Sequence, residues 1–231
     1  MAEIICDEKA TREINREVRR LISEGESKIE IRNPSARHNL GVALVDPAHV
    51  VIDGSVGYYC AGMIDGSTIE INGSAGWGLA ESMMSGKVIV HGNTGNGTAA
   101  SIRGGAVVVE GHASARLGVA MKGGLIVVSG DCGYMAGFMG QKGTMIICGD
   151  TGEAFADSMY ETVCYVGGEV GDLGNDAVIE APTDEDSAYL RYTLAEHLGE
   201  ERDVSGFKKV VAGRKLWNFD KNERAAWREA L

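Results

Sequence analysis

His91 and Glu110 stand nineteen residues apart, each one place ahead of a glycine, Gly92 and Gly111. If a nineteen-residue unit repeats as a stacked strand, they become neighbours about 4.8 Å apart, close enough for an imidazole–carboxylate hydrogen bond. Such a pair can do acid/base work or begin a metal site. The rest of that column, Asp53, Asn72, Ser129, Cys148 and Gly167, offers no second histidine and no convergent pocket. The pair therefore reads as two rungs of a solvated polar ladder. His38, His49, His112 and His197 fall out of phase with it and read as surface or packing histidines. A second candidate is Gly95-Asn96-Gly97-Thr98-Ala99-Ala100, which has the GxGxxA form of a dinucleotide fingerprint. That chemistry needs a helix next and an acid about twenty residues on. A new strand-like run starts at Ala106 and leaves no room for the helix. Cys6, Cys60, Cys132, Cys148 and Cys164 form no CxxC pair and fall at different phases, so they read mostly as buried reduced thiols. The expected catalytic, cofactor-binding and metal-ligating residues of this chain are none.

The elements that position these residues follow from a repeat between Val50 and Gly168. Gly54, Gly73, Gly92, Gly111, Gly130, Gly149 and Gly168 recur every nineteen residues. Small residues follow each one in a GxxGxxxA/G pattern, and short runs such as VIVH and VVVE precede them. A fixed period without insertions marks a solenoid, and β-branched runs of this length read as strands. The second position back from each glycine (Ile52, Ile71, Val90, Val109, Val128, Ile147, Val166) is apolar. So is the fourth (Val50, Ile69, Val88, Val107, Ile126, Met145, Cys164), and the two columns share one face. The reading is an all-β fold, a right-handed parallel β-helix of about seven 19-residue coils with short flanking helices. The glycines are expected to serve positive φ or close backbone approach. The third position back must face outward, yet it holds Val51, Glu70, Ile89, Val108, Val127, Ile146 and Tyr165. Such a stack needs a cover, supplied either by this chain's terminal helices or by another subunit.

The flanks divide the chain into an N-terminal strand and helix over 1–27, the β-helix over 28–180 and a helical cap and tail over 181–231. A helix is expected from about Glu8 to Ser23, with Arg12, Arg16, Arg19 and Arg20 interleaved with Glu13 and Glu17 as a solvated face of helix ion pairs. A second helix is expected after Pro182, N-capped by Thr183 and stopped by Gly199, closing the open end of the rod. Leu216, Trp217 and Phe219 should dock the tail, with a short helix after Asp220. The net charge of −11 argues against a nucleic-acid partner. No signal or membrane-spanning run is evident, so a soluble, cytoplasmic chain is expected. A sugar-cleaving β-helix enzyme would need paired carboxylates in a groove, and the outer strand column carries one acid, Glu70.

The lead-in ATREINREVRRLISEG, the following IEIRNPSARHNLGVAL and the iterated GxxGxxxA/G coils resemble the C-terminal β-helix (GXGXG) domain of the glutamate synthase large subunit, over about residues 8 to 180. A related β-helix occurs in formylmethanofuran dehydrogenase. As a separate short chain this one is most similar to the stand-alone β-helix subunit of N-methylglutamate synthases, the methylamine–glutamate N-methyltransferases. Split glutamate synthases carry a comparable chain. The resemblance implies a non-catalytic scaffold. Its expected partners are a glutaminase-like amidotransferase subunit with a nucleophilic N-terminal cysteine and a synthase subunit carrying FMN and iron–sulfur clusters. No nucleic acid or membrane is implied, and no catalytic or cofactor-binding residue is carried over to this chain.

Overall fold

The computed structural model describes residues 2–199 and 201–216. The chain opens with β1 (Ala2–Ile5), α1 (Thr11–Ser23) and β2 (Lys28–Arg32). The strands of the rod are β3 (His49–Asp53), β4 (Thr68–Ile71), β5 (Lys87–Val90), β6 (Ala106–Val109), β7 (Lys122–Val128), β8 (Lys142–Ile147) and β9 (Glu161–Val166). After them come β10 (Ala177–Glu180), α2 (Asp184–Leu198) and β11 (Lys208–Ala212). From β1 to β9 each strand pairs in parallel with the next in chain order. The result is the parallel β-solenoid, of about seven turns with ~19-residue coils and two short helices.

Register follows from the repeat. Val50 lies opposite Ile69, Ile69 opposite Val88, and Val88 opposite Val107. Both inward columns are fully buried, without exception. A single Val or Ile side chain so buried contributes about 1.5–3 kcal/mol. Ile64, Met83, Ile102, Met121 and Met159 close the interior from the far side of the coil. A second ladder runs through bridges joining Val56, Ala75, Thr94, Ala113, Cys132 and Thr151.

The turns divide two conformational tasks between different residues. The leading glycines after Gly54 do not have positive φ. A Cβ on Gly92 would instead lie 2.6 Å from Ser74 Oγ and 2.8 Å from the Gly73 carbonyl oxygen, so the requirement there is close approach of stacked backbone. Left-handed φ falls on the small residue later in the motif: Ala61 (57°), Ala80 (55°), Ala99 (56°) and Ala156 (60°). This geometry costs an L-residue about 1–2 kcal/mol. Each of these alanines is buried and donates its N–H to the preceding coil, as Ala99 does to Leu79 O at 2.7 Å. The stacked ladder holds them in place.

The two flanks depart from expectation. Helix α1 begins at Thr11 rather than near Glu8, which has φ of 61°. Glu13 accepts the Ala10 N–H at 2.8 Å and fixes that start. Ile14 and Val18 bury its inner face, and Asn15 pins it to the first coil by donating to Asn39 O (2.7 Å) and accepting from Gly41 N (2.9 Å). At the other end, β10 is not one more parallel rung. The unforeseen β11 inserts antiparallel against β9, and β10 pairs antiparallel outside it. The last strand edge of the rod is thus closed by a strand, not by α2. Helix α2 keeps its expected Thr183 cap and left-handed Gly199, but it lies against the outer face of the sheet. The Leu216 side chain is exposed rather than docked, and the tail is held instead by its N–H and that of Lys215 on Asp176. Trp217, Phe219 and the helix expected after Asp220 lie outside the described residues.

Candidate functional site

On the outer face the predicted rungs meet. His91 Nδ1 lies 2.8 Å from Glu110 Oε2. The other ring nitrogen, Nε2, lies 2.9 Å from Glu70 Oε1, and Glu70 Oε2 is 3.2 Å from His49 Nε2. By the repeat alone His49 stands out of phase. It joins because alternate residues of a strand share a face: positions one, three and five before the glycine all point outward, and His49, Glu70 and His91 occupy them diagonally on successive strands. That parity is the signal in the sequence that finds it.

This diagonal is an electrostatic zipper. The Glu110 hydrogen bond, then that of Glu70, raises the His91 pKa above its ordinary value. The His91 hydrogen bond, set against partial burial and aided by His49, lowers that of Glu70. A carboxylate on each ring nitrogen favours the cationic form of the imidazole, in which both nitrogens are donors. Among the described residues no group of three or more His, Cys, Asp or Glu is disposed to hold a metal ion.

A second polar ladder was not expected. Ser55 Oγ accepts from Ser74 N, Ser74 Oγ from Asn93 N, and Asn93 Oδ1 from His112 N, at 3.0, 3.1 and 2.8 Å. His112 Nδ1, Asp131 Oδ1 and Asp150 Oδ1 continue it into the next coil at 3.0, 2.8 and 2.7 Å. The residue after every leading glycine from Gly54 to Gly149 is therefore a hydrogen-bond acceptor that satisfies one backbone N–H of the following coil. Its column in the sequence, short polar residues throughout, is the signal that could have revealed it.

The remaining candidates resolve as follows. Gly95–Ala100 is a coil turn; Thr98 is buried and donates to Gly95 O (3.0 Å), and the chain then runs on to β6. Cys6, Cys60, Cys132 and Cys164 are buried free thiols, and desolvation pushes Cys60 and Cys132 up to about 12.

The outward apolar column has two halves. Val108, Val127 and Ile146 are fully buried and Tyr165 nearly so. Leu190 and Leu194 of α2, with Val204 and Phe207, cover Val127, Ile146 and Tyr165. The cover of that half is the chain's own. A buried network anchors it: Tyr165 donates its hydroxyl to Asp186, which also receives Lys209 Nζ at 2.9 Å and Thr183 N at 2.8 Å. Burial alone would raise the Asp186 carboxyl, but these donors outweigh it and hold the group far below the usual carboxylate range. Val51 and Ile89, nearer the N-terminus, stay half-buried.

Two surfaces are left bare by the described residues. One is a row on the coil turns, where Tyr58, Tyr59, Met63, Trp77, Tyr134 and Met139 are all exposed. Within it His38, Tyr58 and Trp77 stack at centroid distances of 4.5 and 5.3 Å. The other is a groove of about 770 Å³ between α1 and the first coil, lined by Arg12, Arg16, Arg19, Arg37 and His38 with no acidic residue. The helix ion pairs expected there do not form: Glu17 pairs with Lys9 and Glu13 caps the helix, while Arg20 alone pairs along the helix, with Glu24. No helix among the described residues is long and apolar enough to cross a membrane. Compared with models of known families and with curated proteins, the chain matches none.

Proposed function

We propose that this chain is a non-catalytic scaffold subunit of a glutamate synthase-type complex, an N-methylglutamate synthase that forms N-methyl-L-glutamate and ammonia from methylamine and L-glutamate. One observation carries the reading. The glycine beat on which the resemblance rests winds into a solenoid in which the described residues of the C-terminal segment cover half of the outer column, with Val51 and Ile89 half-buried and a row of aromatic and methionine side chains exposed among the described residues. Bare apolar surface of this kind is suited to holding other chains. In this reading the chemistry belongs to the partners: a glutaminase-like amidotransferase and a synthase subunit carrying FMN and iron–sulfur clusters. This chain contributes an extended surface along which other chains can be arrayed, as stacked repeats do. A split glutamate synthase would use the same scaffold and is the second reading.

Co-expression with the two partner subunits, followed by size-exclusion chromatography with mass measurement, tests the proposal. The expected result is a stable hetero-oligomer that turns over methylamine and glutamate. Turnover of 2-oxoglutarate with glutamine instead selects the second reading. A chain that remains a monomer in the presence of both partners refutes the scaffold role.

A further inference from the structure

The basic groove is unusual in a chain of net charge −11. Its lining holds four arginines and no carboxylate. Two of these arginines are structural. Arg37 Nη2 donates to Cys6 O at 2.8 Å and its Nη1 to Pro34 O at 3.3 Å, while Arg19 donates to Val42 O at 3.1 Å. Arg12 and Arg16 make no hydrogen bond or ion pair with any described residue, and both are exposed. Four like charges held together repel one another, a standing cost that an anionic occupant would offset.

The spacing selects the kind of anion. Arg12, Arg16 and Arg19 lie at i, i+4 and i+7 on α1, so they rise along one helix face by about 6 Å and about 10.5 Å. Alternate side chains of an extended peptide repeat at about 6.7 Å, which matches the step from Arg12 to Arg16, the two arginines without a described partner; Arg19, already on Val42 O, extends the positive field of the row. A single phosphate or small dicarboxylate is too short to span the row. The groove also does not end at the helix. Asn39 and Val42 line both it and the adjoining hollow of about 300 Å³ that Tyr59, Met63, Gly62 and Ser82 complete, with Glu81 as its one acid. His38 lines the groove and stacks on Tyr58, which stacks in turn on Trp77. A charged trough thus runs into an exposed aromatic one.

We propose that this trough docks an extended segment of a protein partner, with acidic residues at alternate positions against Arg12 and Arg16 and apolar side chains against Tyr59, Met63 and Trp77. The inference names the docking surface of the scaffold proposed above, but it is tested on the chain alone. Its outcome is therefore separable from whether a particular complex forms.

The probe is a fluorescein-labelled peptide with glutamate at alternate positions followed by leucine and phenylalanine, read by anisotropy against the full chain. Binding should weaken with salt and disappear when the glutamates become glutamine. The double variant Arg12→Ala/Arg16→Ala should lose about tenfold or more in affinity, as expected for charge-assisted pairs. Its circular dichroism should match that of the parent chain, because neither side chain has a partner among the described residues. Trp77→Ala should also weaken binding, whereas Arg20→Ala, on a residue already paired with Glu24, should not. Equal affinity for the glutamine peptide, or an unchanged affinity in the double variant, overturns the proposal. So does tripolyphosphate binding as tightly as the peptide with no effect of Trp77→Ala, which would mark a small-anion site. Salt-dependent self-association abolished by Arg16→Ala would identify a second copy as the occupant and likewise overturn it.

Discussion

Replacing Gly92 by alanine tests whether the glycine beat serves backbone proximity rather than backbone conformation. Gly92 does not have positive φ, so alanine meets no dihedral penalty there. Its Cβ would, however, lie 2.6 Å from Ser74 Oγ, 2.8 Å from Gly73 O and 2.9 Å from Gly73 C. Two of these three atoms are backbone of the coil below and cannot rotate away. Overpacking of this sort costs about 1–3 kcal/mol. Displacing Ser74 also disrupts its bond to Asn93 N (3.1 Å), adding about 1 kcal/mol. Loss of chain freedom in the unfolded state returns about 0.4–1 kcal/mol. The net destabilisation is about 1–3.5 kcal/mol, a large share of the ~5–15 kcal/mol typical of a domain. Gly97→Ala is the control. There φ is +69° and no atom lies within 4 Å, so alanine meets backbone strain of about 1–2 kcal/mol but no steric contact, and the unfolded-state gain of about 0.4–1 kcal/mol leaves a net cost of about 0–1.5 kcal/mol. Urea unfolding followed by far-ultraviolet circular dichroism, with the m-value checked for retained cooperativity, reads both. The double variant Ser74→Ala/Gly92→Ala should remain less stable than Ser74→Ala alone, because the contacts with Gly73 persist. If Gly92→Ala costs no more than Gly97→Ala, the proximity argument is wrong and the repeat exists for another reason.

The His91 zipper makes stability depend on pH from two sides. With the His91 pKa raised, its contribution is fully present below about 6.5 and is lost as pH rises through the folded value; with that of Glu70 lowered, its contribution is present above about 4.5 and is lost as pH falls through the folded value. NMR titration should place His91 above an ordinary histidine, and Glu110→Gln should bring it down; an unshifted His91 would refute the pairing. Leu194→Ala, truncating a fully buried side chain on the outer-face cover, should cost about 2–5 kcal/mol. Amide exchange should then rise in β8 and β9 before β3. Asp186→Asn leaves Lys209 and Tyr165 without the carboxylate they share and should cost about 3–5 kcal/mol, measured by denaturant melt. In the parent chain the share of stability owed to Asp186 should be lost only as pH falls below about 3.8, the ordinary carboxyl value from which its pKa is lowered.

The sequence by itself determined the rod. Because the coils between Val50 and Gly168 have one length, residue i stacks on i+19 along the strands there, and one apolar column read along the chain becomes one buried column in space. Val50, Ile69 and Val88 were assignable as interior for that reason, and His91 beside Glu110 was legible for the same reason. The same arithmetic holds two further signals, namely the parity that joins His49 to Glu70 and the acceptor column from Ser55 to Asp150. Only the tertiary structure decided what happens outside the repeat. Residues after Asn175 have no register to inherit, so their position depends on which bare edge and face they satisfy best. Strand β11 carries the backbone donors and acceptors that the exposed edge of β9 lacked, and α2 carries the leucines that the outer column lacked. The arginines of α1 show the same limit. Their helical spacing was readable, but a row of arginines becomes a groove only when Asn15 fastens the helix beside the first coil and Glu13 and Glu17 are engaged elsewhere.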